Sequence, residues 1–376
     1  MADTQTRIIA RAHELAVITK RTYTIRPDRA CAVHDEQPGL TTEPLRDSAG
    51  ALTADTDLFG FKPAADLVIN AQAHAPGGEP VDELEAGVTV GDRQLWARVV
   101  GDRTVRLRGD TISFSRPAPF SAMPLTYANA YGGVDRWARP ALDAKLIDPL
   151  APYVSASLAP ASWAIYRRNA AGKGYLVQHT PEMVGLELPN VEDLDDLLTP
   201  ERLVVGDPYK WHRQPLPAGF GWFDLAWFPR CVHIGYGAGR RVDAPQPTDP
   251  VIREVSLGYV EDGVFDRTDL MDAVSPRLMC GVSPALIFDR LAGDEDICLH
   301  NMHPDHPELR FRLPGEKPRL SVRPLTEQHK EARPVLSTVA VDAEAGTVSL
   351  VWNGRVQCRY PHGDEQIGKV EFKVDW

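Results

Sequence analysis

The chain is 376 residues long, 43% hydrophobic and 25% charged, an ordinary globular composition that argues against disorder. It carries 41 basic and 52 acidic residues, a net charge of −11, and such a surface repels nucleic acid and anionic membranes, so neither is expected as a partner. No run approaches the roughly 18 apolar residues of a membrane helix, and the start, Met1-Ala2-Asp3-Thr4, lacks a basic stretch leading into an apolar one.

At roughly 150 residues per unit, the length accommodates two to three domains. The 32 prolines and 29 glycines predict many turns and few long helices, because proline removes a donor and glycine weakens element interiors. The five cysteines, Cys31, Cys231, Cys280, Cys298 and Cys358, are far apart and form no C-x-x-C pair. They read as reduced thiols of a cytoplasmic chain.

In chain order, residues 4–18 read as an N-terminal helix and residues 22–25 as a strand. Residues 88–116 carry the clearest signal. Val105 and Leu107, then Ile112 and Phe114, alternate with polar residues, and Gly-Asp pairs at Gly91, Gly101 and Gly109 punctuate the runs. Period-two alternation makes one buried face, so an antiparallel meander is expected. Residues 189–198 read as a short helix capped by Asn190, with Glu192, Asp193, Asp195 and Asp196 suiting the positive end of its dipole. Residues 276–291 mix helix and loop cues. Residues 335–341 and 347–351 read as a hairpin, and residues 369–376 as a final strand with Val370, Phe372, Val374 and Trp376 on one face. Proline-rich segments at 117–124, 214–217, 244–250 and 304–318 read as crossings between β units.

The expected fold is mainly β: antiparallel sandwich-like or barrel-like units with a few short helices. A single β-rich unit over residues 1–376 is expected, with a soft division into 1–185 and 186–376.

Four stretches invite a chemical reading. His300, His303 and His306 fall within seven residues, with Asp305 beside them, as a zinc tract would. Pro304 breaks regular geometry and no second half-site is evident, so a polar loop between two strands is the plainer reading and no metal is expected. Residues 231–239 end in Gly235, Gly237 and Gly239, but Pro245 follows where a dinucleotide fold needs a helix, so a glycine turn is expected. Gly172-Lys173 lacks the following Ser or Thr of a phosphate loop. Residues 220–229 are rich in aromatics, which build cores first and interfaces second. As an interface, Trp222, Phe223, Trp227 and Phe228 are the residues that would touch a partner.

Several stretches, in this order, resemble one bacterial domain-of-unknown-function family, encoded beside type VI secretion effectors. Phe61, Lys62, Pro63 and Asp66 fit a Phe-Lys-Pro-x-x-Asp pattern, and Gly101, Asp102 and Arg103 follow. Gly132 and Gly133 close an Ala-aromatic-Gly-Gly element. Residues 169–175 fit Asn-Pro-x-Gly-x-Gly-aromatic, with Ala170 in place of proline. Pro189, Asn190 and Glu192 fit Leu-Pro-Asn-Ile-Glu. Trp211 and Pro215 fit a Trp, Pro, Leu-Pro, Asp-Phe element, with Gly219 in place of aspartate. Trp352-Asn353-Gly354 comes last, with Asn353 where arginine is commoner. The resemblance spans residues 20–360. It implies a non-enzymatic cytoplasmic adaptor or chaperone that binds a secreted effector, a toxin, and helps load it onto the spike protein. It transfers no catalytic residue and no cofactor. A second reading is a carbohydrate-binding or carbohydrate-acting β protein, using the Trp-rich residues 211–228, since sugars stack on aromatic rings. A third is a metal-dependent hydrolase built on His300, His303 and His306.

Overall fold

The helix expected over residues 4–18 is a β-hairpin. In the computed structural model β1 (Thr6–Arg11) and β2 (Glu14–Thr24) pair antiparallel, Thr6 opposite Thr19 and Arg11 opposite Glu14. Leu15, Ala16, Val17 and Ile18 are all fully buried. A strand covered on both faces loses the period-two signal, and a short apolar run then reads equally well as a buried helix. The structure describes residues 5–11, 13–48, 50–59, 62, 64–138, 164–206, 208–224, 227, 228, 230 and 280–376. Phe61, Pro63, the glycine segment 231–239, the proline segment 244–250 and the first part of the 276–291 stretch lie outside the described residues.

The remaining strands follow in order. β3 (Ala32–Val33) flanks β2, and β4 (Leu45–Arg46) pairs with β5 (Leu52–Ala54). β6 (Ala65–Asn70) is buried along its first five residues, and β7 (Gln72–His74) comes next. β8 (Glu83–Val90) and β9 (Arg93–Val100) form one hairpin of the expected meander, and β10 (Val105–Arg108) and β11 (Thr111–Phe114) form the other. Gly91 and Gly109 sit at the two turns with φ of 60° and 59°, the left-handed region glycine favours. At Gly101 the chain crosses instead of turning, so β9 and β10 do not pair.

β12 (Ala122–Pro124) pairs with β7, and β13 (Tyr131–Gly132) pairs parallel with β14 (Lys173–Gly174). The short helix expected over 189–198 is β15 (Val191–Asp193) followed by a turn. β16 (Ile287–Phe288), β17 (Asp296–His300), β18 (Glu308–Arg312), β19 (Arg319–Arg323), β20 (Lys330–Asp342), β21 (Thr347–Gln357) and β22 (Glu371–Asp375) complete the set. β20 and β21 are the hairpin expected near residue 345. β22 pairs with β19, but Phe372 and Trp376 remain exposed, so the final strand buries no full face. The described helices are one or two turns long, most of them opening on proline, whose fixed φ suits a first helical position.

Two sheets dominate. A nine-stranded sheet runs β1-β2-β21-β20-β19-β22, with β3 beside β2, β6 beside β20, and β16 beside β6. β20 changes partner along its length. It pairs with β19 around Ala332, shifts register between Leu336 and Thr338, and then pairs parallel with β6 from Thr338 to Asp342. The second sheet is β15-β9-β8-β17-β18. One hydrophobic core joins the two: Leu67, Ile69, Leu350 and Trp352 from the first sheet meet Val88, Val99, Ile297 and Leu299 from the second. The class is as expected, mainly antiparallel β, and it includes a half-barrel. Both sheets draw strands from each side of the 185/186 division, through β6 with β20, β8 with β17 and β9 with β15. Among the described residues no helix is long and apolar enough to cross a membrane. Cys31, Cys280, Cys298 and Cys358 are buried free thiols, and burial pushes Cys31 up to about 11.

Candidate functional site

The motif residues that the sequence singles out converge on the far end of β9. Asn190 is fully buried and is no helix cap. Its Nδ2 donates to the Val100 carbonyl and to Asp102 Oδ1, each at 3.0 Å, and its Oδ1 accepts from Lys173 Nζ at 3.0 Å. Two residues on, Glu192 is buried against Arg103 Nη2 at 3.0 Å and Arg98 Nη1 at 3.2 Å. Arg103 also donates to the Pro189 carbonyl at 2.9 Å. Burial pulls the Arg103 guanidinium below its ordinary range, and Glu192 pushes it back up. Gly101 packs so closely on the Ala118 carbonyl that a Cβ has no room.

A second cluster braces the glycine elements. Gly132 and Gly133 have φ of 151° and 94°, and a Cβ on either would strike the backbone of Asn169 or Gly172. Asn169, fully buried, donates from Nδ2 to the carbonyls of Tyr127 at 2.7 Å and Tyr131 at 3.1 Å. Ala170, in the place of the expected proline, leaves this brace intact. Lys62 and Asp66 form a buried ion pair, and Asp66 Oδ2 also accepts from the Gly281 N–H at 2.9 Å. These groups hold backbone segments in place.

The aromatic segment is mostly core, the first of the two readings its composition offers, and Trp222 alone of the four interface candidates keeps part of its surface exposed. Phe223, Trp227 and Phe228 are buried, and Trp222 is half-buried against Gly281. Phe223 and Trp227 pack edge-on to Tyr127 and to each other, with centroids 5.2–5.6 Å apart. Trp211 packs edge-on against Tyr166 and Phe228, and the Tyr166 hydroxyl donates to the Pro215 carbonyl at 2.9 Å. Trp211 and Trp227 therefore offer no ring face for a sugar. Aromatics carry the largest apolar area per residue, and in a chain with so many turns they are what closes the core.

The three histidines do not converge. His300 ends β17, with Nε2 3.0 Å from Thr89 Oγ1 and its ring 4.6 Å from that of Trp96. His303 and His306 stack on each other at 4.9 Å in the loop before β18. Among the described residues no three His, Cys, Asp or Glu side chains gather as a metal site. Burial lowers the pKa of both His300 and His303.

The open feature lies where β15 stops. β15 pairs with β9 only from Ala97 to Val99. The Val100 N–H donates to the Asn190 carbonyl on the β15 side, so by strand alternation Trp96 and Gln94 aim their N–H and C=O groups the same way. No described strand meets them there. A cleft of about 300 Å³ opens beside this edge, lined by Trp96, Arg168, Asp196, Arg202, Leu216 and Phe228 among others. Arg202 Nη1 holds Asp196 Oδ1 at 2.6 Å, and Arg168 Nη1 donates to the His212 carbonyl at 2.6 Å. Leu216 is 47% exposed. A strand edge unpaired among the described residues, an apolar rim and a fixed Arg–Asp pair suit an extended peptide better than a reacting small molecule. Sequence reading missed Trp96, Arg168 and Arg202, because the cleft exists only through pairings distant along the chain. The proline segment 214–217, the acids Asp193 and Asp196 and the aromatics Phe223 and Phe228 were its visible traces.

Compared with known proteins, residues 10–353 match the model of a family described as an uncharacterized protein conserved in bacteria (DUF2169). No curated protein and no solved structure matches the chain.

Proposed function

The chain belongs to this bacterial family, and on that premise we propose that it is a cytoplasmic, non-enzymatic adaptor that binds a secreted effector in extended form along the open edge of β9. The type VI assignment, with a toxin as client and the spike protein as destination, rests on the ordered motif resemblance. The observation that carries the binding mode is the Gln94–Trp96 edge beside the cleft, which no described strand pairs. A client strand supplies the missing ladder bonds, and one apolar side chain fills the space between Trp96 and Leu216. Binding only the export-competent state of the client stabilises that state by mass action.

The test is a pull-down of the tagged full-length protein from its native host, read by mass spectrometry, alongside the variant Gln94→Pro. Proline at 94 removes a donor only on the open side, so the ladder with β8 survives while edge pairing is blocked. Wild type recovers a secreted toxin together with spike protein, and Gln94→Pro loses the toxin. Recovery of no secreted protein by wild type contradicts the adaptor reading. Equal recovery by the variant contradicts the edge.

A further inference from the structure

A second cavity, of about 760 Å³, lies on the opposite sheet and shares no lining residue with the cleft. Four cations line it: Arg290, Lys317, Arg333 and Arg355. All four are exposed, and none makes an ion pair or a side-chain hydrogen bond with a described residue. Arg333 and Arg355 stand directly opposite each other on β20 and β21. Like charges at facing positions repel and destabilise a sheet. The chain has 52 acids for 41 bases, so acidic partners are in surplus, yet these four bases have none among the described residues.

The acids of the same cavity are Glu14, Asp289 and Glu295. Glu14 accepts from Gln357 Nε2 at 2.6 Å, and Glu295 accepts from the backbone N–H groups of Ala292 and Gly293. Glu14 and Glu295 thus serve donors other than the four cations. The floor is apolar, with Leu291, Val335 and the buried Trp352, whose Nε1 has no acceptor among the described residues. Bare cations around an apolar floor match a chain that alternates carboxylates with apolar side chains. An inorganic anion would use the charges and leave the floor empty.

From this juxtaposition we infer that the β20–β21 cavity binds an acidic, partly apolar peptide segment of a partner protein. The inference stands independently of the adaptor reading and of the β9 edge. A carboxylate between Arg333 and Arg355 relieves their repulsion, and the leucine-like side chains cover Val335 and Leu291. Because the chain as a whole is acidic, attraction acts only at short range and is weakened by salt.

The experiment uses the full chain and a fluorescein-labelled peptide of alternating glutamate and leucine, read by fluorescence anisotropy at low and high salt. The double variant Arg333→Ser/Arg355→Ser binds the peptide about tenfold more weakly than wild type, while Arg108→Ser, an exposed arginine outside the cavity, binds as wild type does. The double variant also melts no lower than wild type, since it loses a repulsion. Equal affinity of double variant and wild type overturns the inference, as does no binding by wild type. Full competition by inorganic phosphate at the peptide's own concentration also overturns it, reducing the cavity to a simple anion site.

Discussion

The nine-stranded sheet and the segment from Tyr127 to Phe228 share one core, but different forces hold them. In the sheet, ladder bonds and buried Leu350, Val339 and Ile69 do the work, and side chains need only be apolar and of fitting size. Among the described residues of the segment, regular pairing is sparse, and buried polar side chains take over the role of a neighbouring strand. Asn169, Asn190, Arg103 and Arg168 each donate to backbone carbonyls far along the chain. A sheet built from ladders tolerates a missing side chain by degrees. A loop fold braced by single polar groups should fail at single positions.

Four destabilising substitutions, one silent control and a pH profile sharpen that contrast, the destabilising changes running from largest effect to smallest. Gly101→Ala places a Cβ against the Ala118 carbonyl and is expected to cost about 5 kcal/mol or more, seen as loss of soluble folded protein. Gly221→Ala, with open space at its Cβ, should leave the melting temperature within experimental error. Glu192→Ala strands the buried Arg103 and should cost about 3–5 kcal/mol in urea unfolding. Leu350→Ala in the sheet should cost about 3 kcal/mol through its cavity. A sheet variant more damaging than Glu192→Ala would break the comparison. Asn190→Ala should cost about 2 kcal/mol and raise amide exchange at Val100 and Lys173 before it affects β20 or β21.

The smallest effect is the pH profile. Burial holds His300 and His303 below the ordinary histidine value, with Glu308 opposing at His300 and His306 adding to the depression at His303. The unfolded chain therefore takes up protons first as pH falls. Stability contributed by these groups is intact above about pH 6.5 and declines below it, toward the lower folded pKa. His300→Gln should flatten that slope in melting curves between neutral and mildly acidic pH. An unchanged slope would remove His300 from the account.

Much of the fold was legible wherever alternation and turn residues agree. The β8–β9, β10–β11 and β20–β21 hairpins follow from apolar residues two apart and from glycines at positive φ. β2 was illegible because Leu15, Ala16, Val17 and Ile18 are covered on both faces, which erases periodicity. β15 was illegible because Asn190 and Glu192 resemble a cap and a dipole charge locally, while their partners Val100, Asp102 and Arg103 lie almost ninety residues away. Asp102, Arg103, Asn190 and Glu192 of the motif series meet in this brace. The open edge of the cleft left almost no trace, since it depends on where another strand stops.

The most direct measurement is amide hydrogen exchange on the full chain, alone and in the complex recovered from its host. The account predicts that the Trp96 amide exchanges quickly in the free protein and slows on binding, because the client strand caps it. Protection confined to other surfaces, with Trp96 unchanged, would contradict the edge-binding adaptor.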